Sequence, residues 1–472
     1  MSQDRESARS DHRRSHTIPG EERHPHSHWH ISVPLRIIFG LLFLIALGTI
    51  LLMLPVMAAE RQLTFMEALF TATSALTVTG LTTITASTSL SFTGQVLLLF
   101  LIQLGGVGYM FAASVALLLL GRRIRLNNRL ALVSSIGLDQ PGEVQRLFKR
   151  VLFGILAFEG LGAILLYIYW QTTGIVSGNR AIFYSIFHAI SAFCNAGFDL
   201  FTGLAEYPDG IPQDNVSLLI LAVLIIVGGL GIPVLTELLN PHRKRFTLHS
   251  RITLWTVVVL VIFGWVSIGI PEVLADGVLQ NEPISEQLVR SFFHSVSTRT
   301  AGFTGLPNFD HLQSESVMMT MLLMFIGSAP ASMGGGITTG TFAVLYLAVW
   351  GYAKGYPTAQ VGGRSLKLLT VRRAGAILTI GISVVMSATW LLLVSHADLT
   401  IQEALFEVIS AFATCGLSLN VTGRLNIFGQ FVIMFVMFWG RLGSLSMVLA
   451  IAKQGALYKP LVTYPEEEVL IG

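Results

Sequence analysis

The sequence predicts an all-α polytopic membrane protein on three observations: few charges, long apolar segments and a fourfold internal repeat. Of its 472 residues, 53% are hydrophobic and 12% are charged, about half the charged fraction of a typical soluble domain. The apolar content excludes intrinsic disorder, and a count of two Cys excludes a disulfide scaffold. The composition therefore favours a chain that lies in the lipid bilayer.

Eight apolar segments are long enough for transmembrane helices, which need about 20 apolar residues. They lie near residues 35–57, 92–120, 147–170, 215–239, 252–275, 315–350, 373–395 and 427–451. Lys and Arg cluster in every second connection, as at Arg122, Arg243 and Arg372, and acidic residues occupy the others. The positive-inside rule then predicts eight spans with both termini cytoplasmic.

Each acidic connection contains one copy of a short motif that ends in glycine. Aligning the four glycines places a Phe ten residues upstream in every copy; the pairs are Phe70 and Gly80, Phe187 and Gly197, Phe292 and Gly302, and Phe406 and Gly416. A common motif at a regular spacing indicates tandem repeats. The predicted repeats cover residues 33–125, 140–245, 250–355 and 370–455, between a His-rich disordered tail at 1–32 and a second tail at 456–472.

The segment before each glycine is too short to cross the membrane. Residues 65–77 would form a helix of roughly 20 Å, about two-thirds of the hydrocarbon core. Thr64 with Glu67 and Thr400 with Glu403 form capping boxes that begin such helices. Irregular backbone at that depth is tolerated only inside protein or beside water. The sequence therefore predicts four helix–re-entrant pore loop–helix repeats around a water-filled pseudo-fourfold axis.

The four residues that end each motif are the candidate filter segments. The half-helix ends carry partial negative charge, the segments contain no carboxylate, and glycine permits positive φ, so backbone carbonyls could bind a monovalent cation. Taken singly, each glycine could merely end a helix. The candidates are Thr77, Val78, Thr79, Gly80, Cys194, Asn195, Ala196, Gly197, Arg299, Thr300, Ala301, Gly302, Ala413, Thr414, Cys415 and Gly416; Cys194 and Cys415 are expected to be packing residues.

The sixth apolar segment is too long for one span, and Pro330 and three consecutive glycines should break its helix. We expect a mobile loop over 327–340 under the filter, the candidate gate loop; a tightly packed helix crossing is the alternative. Arg441 lies within an apolar span, either as an electrostatic barrier or as a structural residue paired with carbonyls. The gate candidates are Gly327, Ser328, Ser332, Gly334, Gly335, Gly336, Thr338 and Arg441.

Three further features of the sequence favour structural roles over functional ones. Glu159, inside the third span, is expected to have an unidentified polar neighbour. The glycine runs 105–108 and 228–231 lie in apolar spans, which favours close helix packing. The run of histidines between His24 and His30 could bind a transition metal, but its polar composition favours a solvated tail.

The chain resembles the KtrB-type potassium-transporting membrane subunit of the Ktr/Trk/HKT superfamily. The residues that carry the resemblance are 77–81 (Thr-Val-Thr-Gly-Leu), 195–198 (Asn-Ala-Gly-Phe) and 298–303 (Thr-Arg-Thr-Ala-Gly-Phe). In having a glycine in all four filters, the chain resembles the potassium-selective branch of the superfamily. The extra N-terminal helices usual in Trk relatives have no counterpart here.

The resemblance implies potassium uptake across the bacterial plasma membrane, through the filter and past the glycine-rich loop. It also implies a homodimer, sodium stimulation, and a cytoplasmic KtrA-like ring of RCK/KTN-type regulatory subunits that binds ATP and ADP. This chain itself offers no nucleotide motif, and we expect no nucleic-acid partner.

Two other classes of protein fit the sequence less well. An ion-coupled secondary transporter would show inverted repeats with helices broken near the midplane, whereas these repeats run parallel. An intramembrane enzyme would need a nucleophile–base pair or metal ligands, whereas the candidates Glu159 and Glu237 are scattered along the sequence. We therefore expect no catalytic residues.

Overall fold

A computed structural model describes residues 33–108, 144–207, 210–239, 246–274 and 277–443. The predicted tails at 1–32 and 456–472 lie outside these residues. So do the basic clusters around Arg122 and Arg243 and the carboxyl-terminal ends of the first, second and fourth predicted repeats.

Helices dominate the described part of the chain. They are α1 (Val33–Leu52), α2 (Phe65–Thr77), α3 (Ala86–Ser89), α4 (Phe92–Val107), α5 (Val144–Thr173), α6 (Asn179–Phe193), α7 (Asn215–Gly229), α8 (Ile232–Leu238), α9 (Leu248–Leu274), α10 (Ile284–Ser297), α11 (Ser314–Phe325), α12 (Thr339–Ala353), α13 (Leu368–Ser395), α14 (Ile401–Ala413) and α15 (Ile427–Leu442). A small antiparallel hairpin pairs β1 (Gln360–Val361) with β2 (Arg364–Ser365).

Within the described residues, four helices are long and apolar enough to cross a membrane: α1, α5, α9 and α13. With 20 to 30 residues each, they extend roughly 30–45 Å and match the first, third, fifth and seventh predicted spans. Large apolar side chains on their surfaces are exposed, among them Phe43, Ile168, Phe263 and Trp390. Such a surface suits lipid rather than water.

The alternate helices α4, α7, α11 and α15 are shorter than predicted. They contain 16, 15, 12 and 16 residues, roughly 18–24 Å, which is less than the hydrocarbon thickness. The segment 215–239, predicted as one span, is not one straight helix, because α7 and α8 meet at a bend of 106°. The sixth segment is interrupted between Phe325 and Thr339, where its proline and glycines predict a break.

A shared four-residue motif ends three of these helices. It reads Gly105-Gly106-Val107-Gly108 at the end of α4, Gly228-Gly229-Leu230-Gly231 at the end of α7 and Gly440-Arg441-Leu442-Gly443 at the end of α15. Its last glycine has a φ of 84°, 84° and 78°, respectively, a backbone conformation that favours glycine and does not continue a helix. The corresponding residues of the third repeat are Gly327-Ser328-Ala329-Pro330.

The first glycine of this motif packs against the carboxyl end of the neighbouring half-helix. A Cβ on Gly105 would lie 2.5 Å from the carbonyl oxygen of Leu76, and a Cβ on Gly440 would overlap the carbonyl of Phe412. Gly228 meets the Phe193 carbonyl in the same way. The close packing predicted for the first two glycine runs is therefore confirmed.

The half-helices α2, α6, α10 and α14 form the buried centre of the fold. The predicted capping box of α2 is confirmed, since the Thr64 hydroxyl accepts from the Glu67 N–H at 3.3 Å and the Glu67 carboxylate accepts from the Thr64 N–H at 2.9 Å. The Thr400–Glu403 box of α14 has the same geometry. Hydrogen bonds from the Arg61 guanidinium lower the pKa of Glu67 to about 2, so its carboxylate remains ionised beside the positive end of α2.

The third half-helix is shifted by one residue relative to the others. The aligned Phe70, Phe187 and Phe406 are fully buried, but in α10 the fully buried ring is Phe293 rather than the aligned Phe292. The serine of this half-helix is shifted in the same direction, since Ser297 lies five residues before its glycine, whereas the serines of the other three half-helices lie six residues before theirs.

We expect Gly440→Ala to destabilise the protein because the new methyl group would overlap the Phe412 carbonyl. Overpacking of this kind costs about 1–3 kcal/mol, and the midpoint of thermal denaturation in detergent, followed by size-exclusion chromatography, should fall. Gly375→Ala in α13 is the matched control, because a Cβ there meets nothing within 4 Å and alanine is the better helix former. Equal losses in both variants would contradict the packing argument.

Candidate filter and gate

The four aligned glycines meet in a closed ring. In each case, a Cβ on the glycine would press on the carbonyl oxygen that precedes the glycine of the next repeat. The contacting pairs are, in order, Gly80 with Ala196, Gly197 with Ala301, Gly302 with Cys415, and Gly416 with Thr79. The fourth segment thus closes onto the first. Any side chain at these four positions would push the segments apart.

Exposure follows the same fourfold pattern. The four glycines are partly exposed, whereas the three residues before each of them are buried. The ring therefore borders an open space with its glycines, and the rest of each filter segment lies within protein. This arrangement brings all sixteen sequence-predicted filter residues together in one place.

A second position in each segment also has a positive φ, which sequence reasoning missed. The residue two before each glycine is left-handed, with φ of 58° at Val78, 55° at Asn195, 76° at Thr300 and 51° at Thr414. For β-branched residues this conformation is an outlier that costs about 1–3 kcal/mol and persists only where the surroundings impose it. Together with the glycine, positive φ therefore recurs at every second residue of each segment, which no helix or strand allows.

Serine side chains fasten the segments to their half-helices. In the first and fourth repeats, the glycine N–H donates to a serine hydroxyl at 3.0 Å, from Gly80 to Ser74 and from Gly416 to Ser410. In the other two repeats the serine instead donates to the carbonyl after the glycine; the pairs are Ser191 with Phe198 at 2.7 Å and Ser297 with Phe303 at 2.6 Å. These bonds anchor each segment from behind.

The candidate gate loop lies against the deep ends of two filter segments, the ends nearest their half-helices. A Cβ on Gly334 would overlap the Thr300 hydroxyl, and one on Gly335 would lie 2.8 Å from the Thr414 hydroxyl. The loop ends at Thr338, two residues before its predicted end, because Thr338 caps α12 by accepting from the Thr341 N–H at 3.4 Å. The three glycines are therefore needed for close approach to the filter segments.

Hydrogen bonds tie the same loop to the break in the second repeat. The Ala329 N–H donates to the Gly229 carbonyl at 3.1 Å, and the Ile232 N–H donates to the Ala331 carbonyl at 3.0 Å. The bend between α7 and α8 therefore supplies backbone partners for the loop. This role accounts for irregular backbone at a depth where free carbonyls and N–H groups are costly.

Arg441 connects the loop to the first repeat. Its guanidinium donates to the Met333 carbonyl in the loop and to the carbonyls of Gly105 and Gly106, the last at 3.1 Å. The pairing with backbone carbonyls, which the sequence left as an alternative, is present. In the shared motif, Arg441 occupies the position that Gly106 holds in the first repeat and Ser328 in the third.

Arg299 behaves differently from the other filter candidates. Its guanidinium donates to the Val257 carbonyl at 3.4 Å and to the Gly327 carbonyl at 3.3 Å. Its own carbonyl accepts from the Ser328 hydroxyl at 3.1 Å. This residue therefore contacts the start of the gate loop with both its side chain and its backbone.

Two buried glutamates near the filter segments accept hydrogen bonds from polar side chains. The unidentified neighbour of Glu159 is Gln103, whose amide donates to both carboxylate oxygens at 3.0 and 3.2 Å. Glu407 in α14, which the sequence reading did not single out, accepts from the hydroxyls of Ser418, at 2.7 Å, and Thr422. A glutamate inside an apolar half-helix was the available signal for it.

Both cysteines are packed as predicted. Cys194 is fully buried, and a Cβ on Gly106 would lie 2.5 Å from its sulfur. Cys415 is also fully buried and donates weakly to the Thr298 carbonyl at 3.5 Å. Each thiol fills a small space behind a filter segment.

Known proteins resemble this chain over almost its whole length. The profile of the TrkH family, described as cation transport protein, matches residues 40–459. The potassium/sodium uptake protein NtpJ of Enterococcus hirae is 34% identical over 442 residues, covering 92% of this chain and 96% of that protein. The Ktr system potassium uptake protein B of Bacillus subtilis is 33% identical over 440 residues, covering 93% and 96%.

The fold has a solved counterpart. The crystal structure of the potassium transporter TrkH from Vibrio parahaemolyticus superposes with a TM-score of 0.71 at 18% identity, covering 91% of this chain and 87% of that one. The family match and the relatives above 30% identity agree with this likeness. The chain therefore belongs to the TrkH family of cation transport proteins, which are membrane ion transporters and not enzymes.

Proposed function

We propose that this chain takes up potassium across the bacterial plasma membrane through the ring formed by its four filter segments. The closed chain of glycine–carbonyl contacts carries the proposal, because it supplies carbonyls from all four repeats around one opening. The relatives, which include proteins named for potassium uptake, support the choice of cargo.

In the proposed mechanism, potassium exchanges its hydration shell for carbonyl oxygens. The carboxyl ends of α2, α6, α10 and α14 lie behind the ring and add partial negative charge. A divalent cation would prefer carboxylates, and the sixteen filter residues include none. Sodium is the competing cargo, since one relative is named a potassium/sodium uptake protein.

The candidate gate loop is proposed to block the pathway below the filter until it moves. Gly334 and Gly335 support this role by packing against Thr300 and Thr414, which leaves no space for an ion there. Arg441 would hold the loop in place through the Met333 carbonyl and would place a positive charge on the cation path.

The proposed architecture and assembly extend beyond the described residues. We propose eight membrane crossings in four tandem repeats around a pseudo-fourfold pore, with both termini cytoplasmic. The chain would form a homodimer on a KtrA-like ring that binds ATP and ADP, and sodium would stimulate transport. The name Ktr system, which one relative bears, supports a multi-component assembly.

We expect Gly302→Ser and Gly80→Ser to lower discrimination of potassium over sodium by about ten-fold. Each side chain would press on a neighbouring carbonyl at a left-handed φ of 76° or 91°, and strain of about 1–3 kcal/mol converts to roughly that factor. The effect is measured in potassium-uptake-deficient cells that express the chain with its regulatory partner. The readouts are growth at low potassium and the competition of sodium with potassium uptake.

Gly363→Ser is the matched control for these filter substitutions. Gly363 also has a positive φ, of 74°, but a Cβ there meets nothing within 4 Å. Failure of the wild type to support growth would contradict potassium uptake. Full selectivity in both filter variants would contradict the filter assignment.

We expect deletion of Gly334–Gly336 to raise potassium flux in vesicles that lack the regulatory partner. The shortened loop could no longer reach Thr300 and Thr414, so the pathway below the filter would open. Deletion of Gly362 and Gly363 from the β1–β2 turn, where a Cβ meets nothing within 4 Å, is the control. Unchanged flux in the loop deletion would argue against a gate.

A further inference from the structure

A hydrogen-bonded joint connects the gate loop to the third filter segment. The Ser328 hydroxyl donates to the Arg299 carbonyl at 3.1 Å and shares a hydrogen bond of 2.6 Å with the Thr300 hydroxyl. The amide of Asn195, from the second filter segment, lies 3.2 Å from the same Thr300 hydroxyl. We call Asn195, Arg299, Thr300 and Ser328 the filter–gate joint.

The joint is buried and its polar groups depend on one another. Asn195 and Thr300 are fully buried, and Ser328 is 2% exposed. Bulk water does not reach these groups, so removal of one hydroxyl leaves the others with fewer hydrogen-bond partners.

The third segment contacts the loop at two places. At the start of the loop, the Arg299 guanidinium donates to the Gly327 carbonyl at 3.3 Å. Further along, Gly334 packs directly on the Thr300 side chain. A movement of the loop must therefore break or carry along contacts with this filter segment.

Backbone strain at Thr300 and a small cavity beside Arg299 would let a movement of the loop change the conformation of this filter segment. Thr300 is β-branched and has a φ of 76°, a conformation that its surroundings must enforce. Arg299 and Ser328 also line a cavity of about 20 Å³ bounded by Gly229, Val257 and Val296, which has room for about one water molecule. Withdrawal of Ser328 would remove one of the contacts that hold Thr300 in this conformation.

We propose that Ser328 positions the third filter segment, so that displacement of the gate loop changes the cation discrimination of the filter. This inference rests on the proposed function and adds to it a regulated selectivity. Ser328 is suited to the role because it occupies the shared-motif position held by glycine in the first two repeats, which have no hydroxyl there. Selectivity control would thus reside in the third repeat.

The test compares Ser328→Ala with Ser316→Ala in the full chain reconstituted in lipid vesicles. Ser316 is also fully buried in the third repeat, but its hydroxyl has no hydrogen-bond partner among the described residues. Loss of the Ser328 hydroxyl should raise the sodium-to-potassium permeability ratio roughly five-fold, the factor expected for one buried hydrogen bond. Ser316→Ala should keep the wild-type ratio.

A second pair of variants addresses the possibility that Ser328→Ala fails to fold. Thr300→Val removes the partner hydroxyl at constant shape, and Thr300→Ser retains it. The valine variant should raise the permeability ratio and the serine variant should restore it. Combined with Ser328→Ala, Thr300→Val should add less than its separate effect, because both remove the same bond.

The outcomes separate the inference from the function on which it rests. A potassium-selective wild type with an unchanged ratio in Ser328→Ala and Thr300→Val overturns the inference alone. Equal shifts in Ser328→Ala and Ser316→Ala overturn it as well, since any buried substitution would then suffice. A wild type that does not distinguish potassium from sodium overturns the proposed function together with the inference.

Discussion

The rest of the structure depends on the contact between a glycine Cα and the carbonyl that precedes the next glycine. Four such contacts form one ring, and no side chain can enter without opening it. The half-helices bring the segments to this point, and their serines hold each segment from behind. The short helices α4, α7 and α15 place glycines against the carboxyl ends of the half-helices, so these helices can pack closely around the centre. Backbone proximity therefore determines where this sequence must contain glycine.

Features controlled by local chemistry could be predicted from the sequence. The capping boxes at Thr64 and Thr400 and the four long apolar helices depend on nearby residues, and both are present. The bend after Gly229 could not be predicted, because the segment is apolar throughout and its break is stabilised by a loop from another repeat. The left-handed conformation of Val78 could not be predicted for the same reason, since β-branched residues adopt it only under tertiary constraint.

One motif was missed because its copies are unequal. Gly105–Gly108 and Gly228–Gly231 are visible as glycine runs, but in the fourth repeat an arginine interrupts the pattern, and in the third repeat serine and proline do. The structure brings the first, second and fourth copies to equivalent places on the half-helices, whereas Gly327 of the third copy packs on Gly335. The second position of the motif is glycine in the first two repeats, but in the third and fourth repeats it is a side chain that hydrogen-bonds, Ser328 to the third filter segment and Arg441 to the candidate gate loop.

Closure of the ring also has a consequence for biogenesis. The final contact joins Gly416 to Thr79, so the opening is complete only after the last repeat has been synthesised and inserted. A nascent or truncated chain that lacks the fourth segment cannot close the ring. Because the ring needs segments from both ends of the polypeptide, it closes only when translation is nearly finished; under the proposed function, the host membrane would then be protected from a partly built pore.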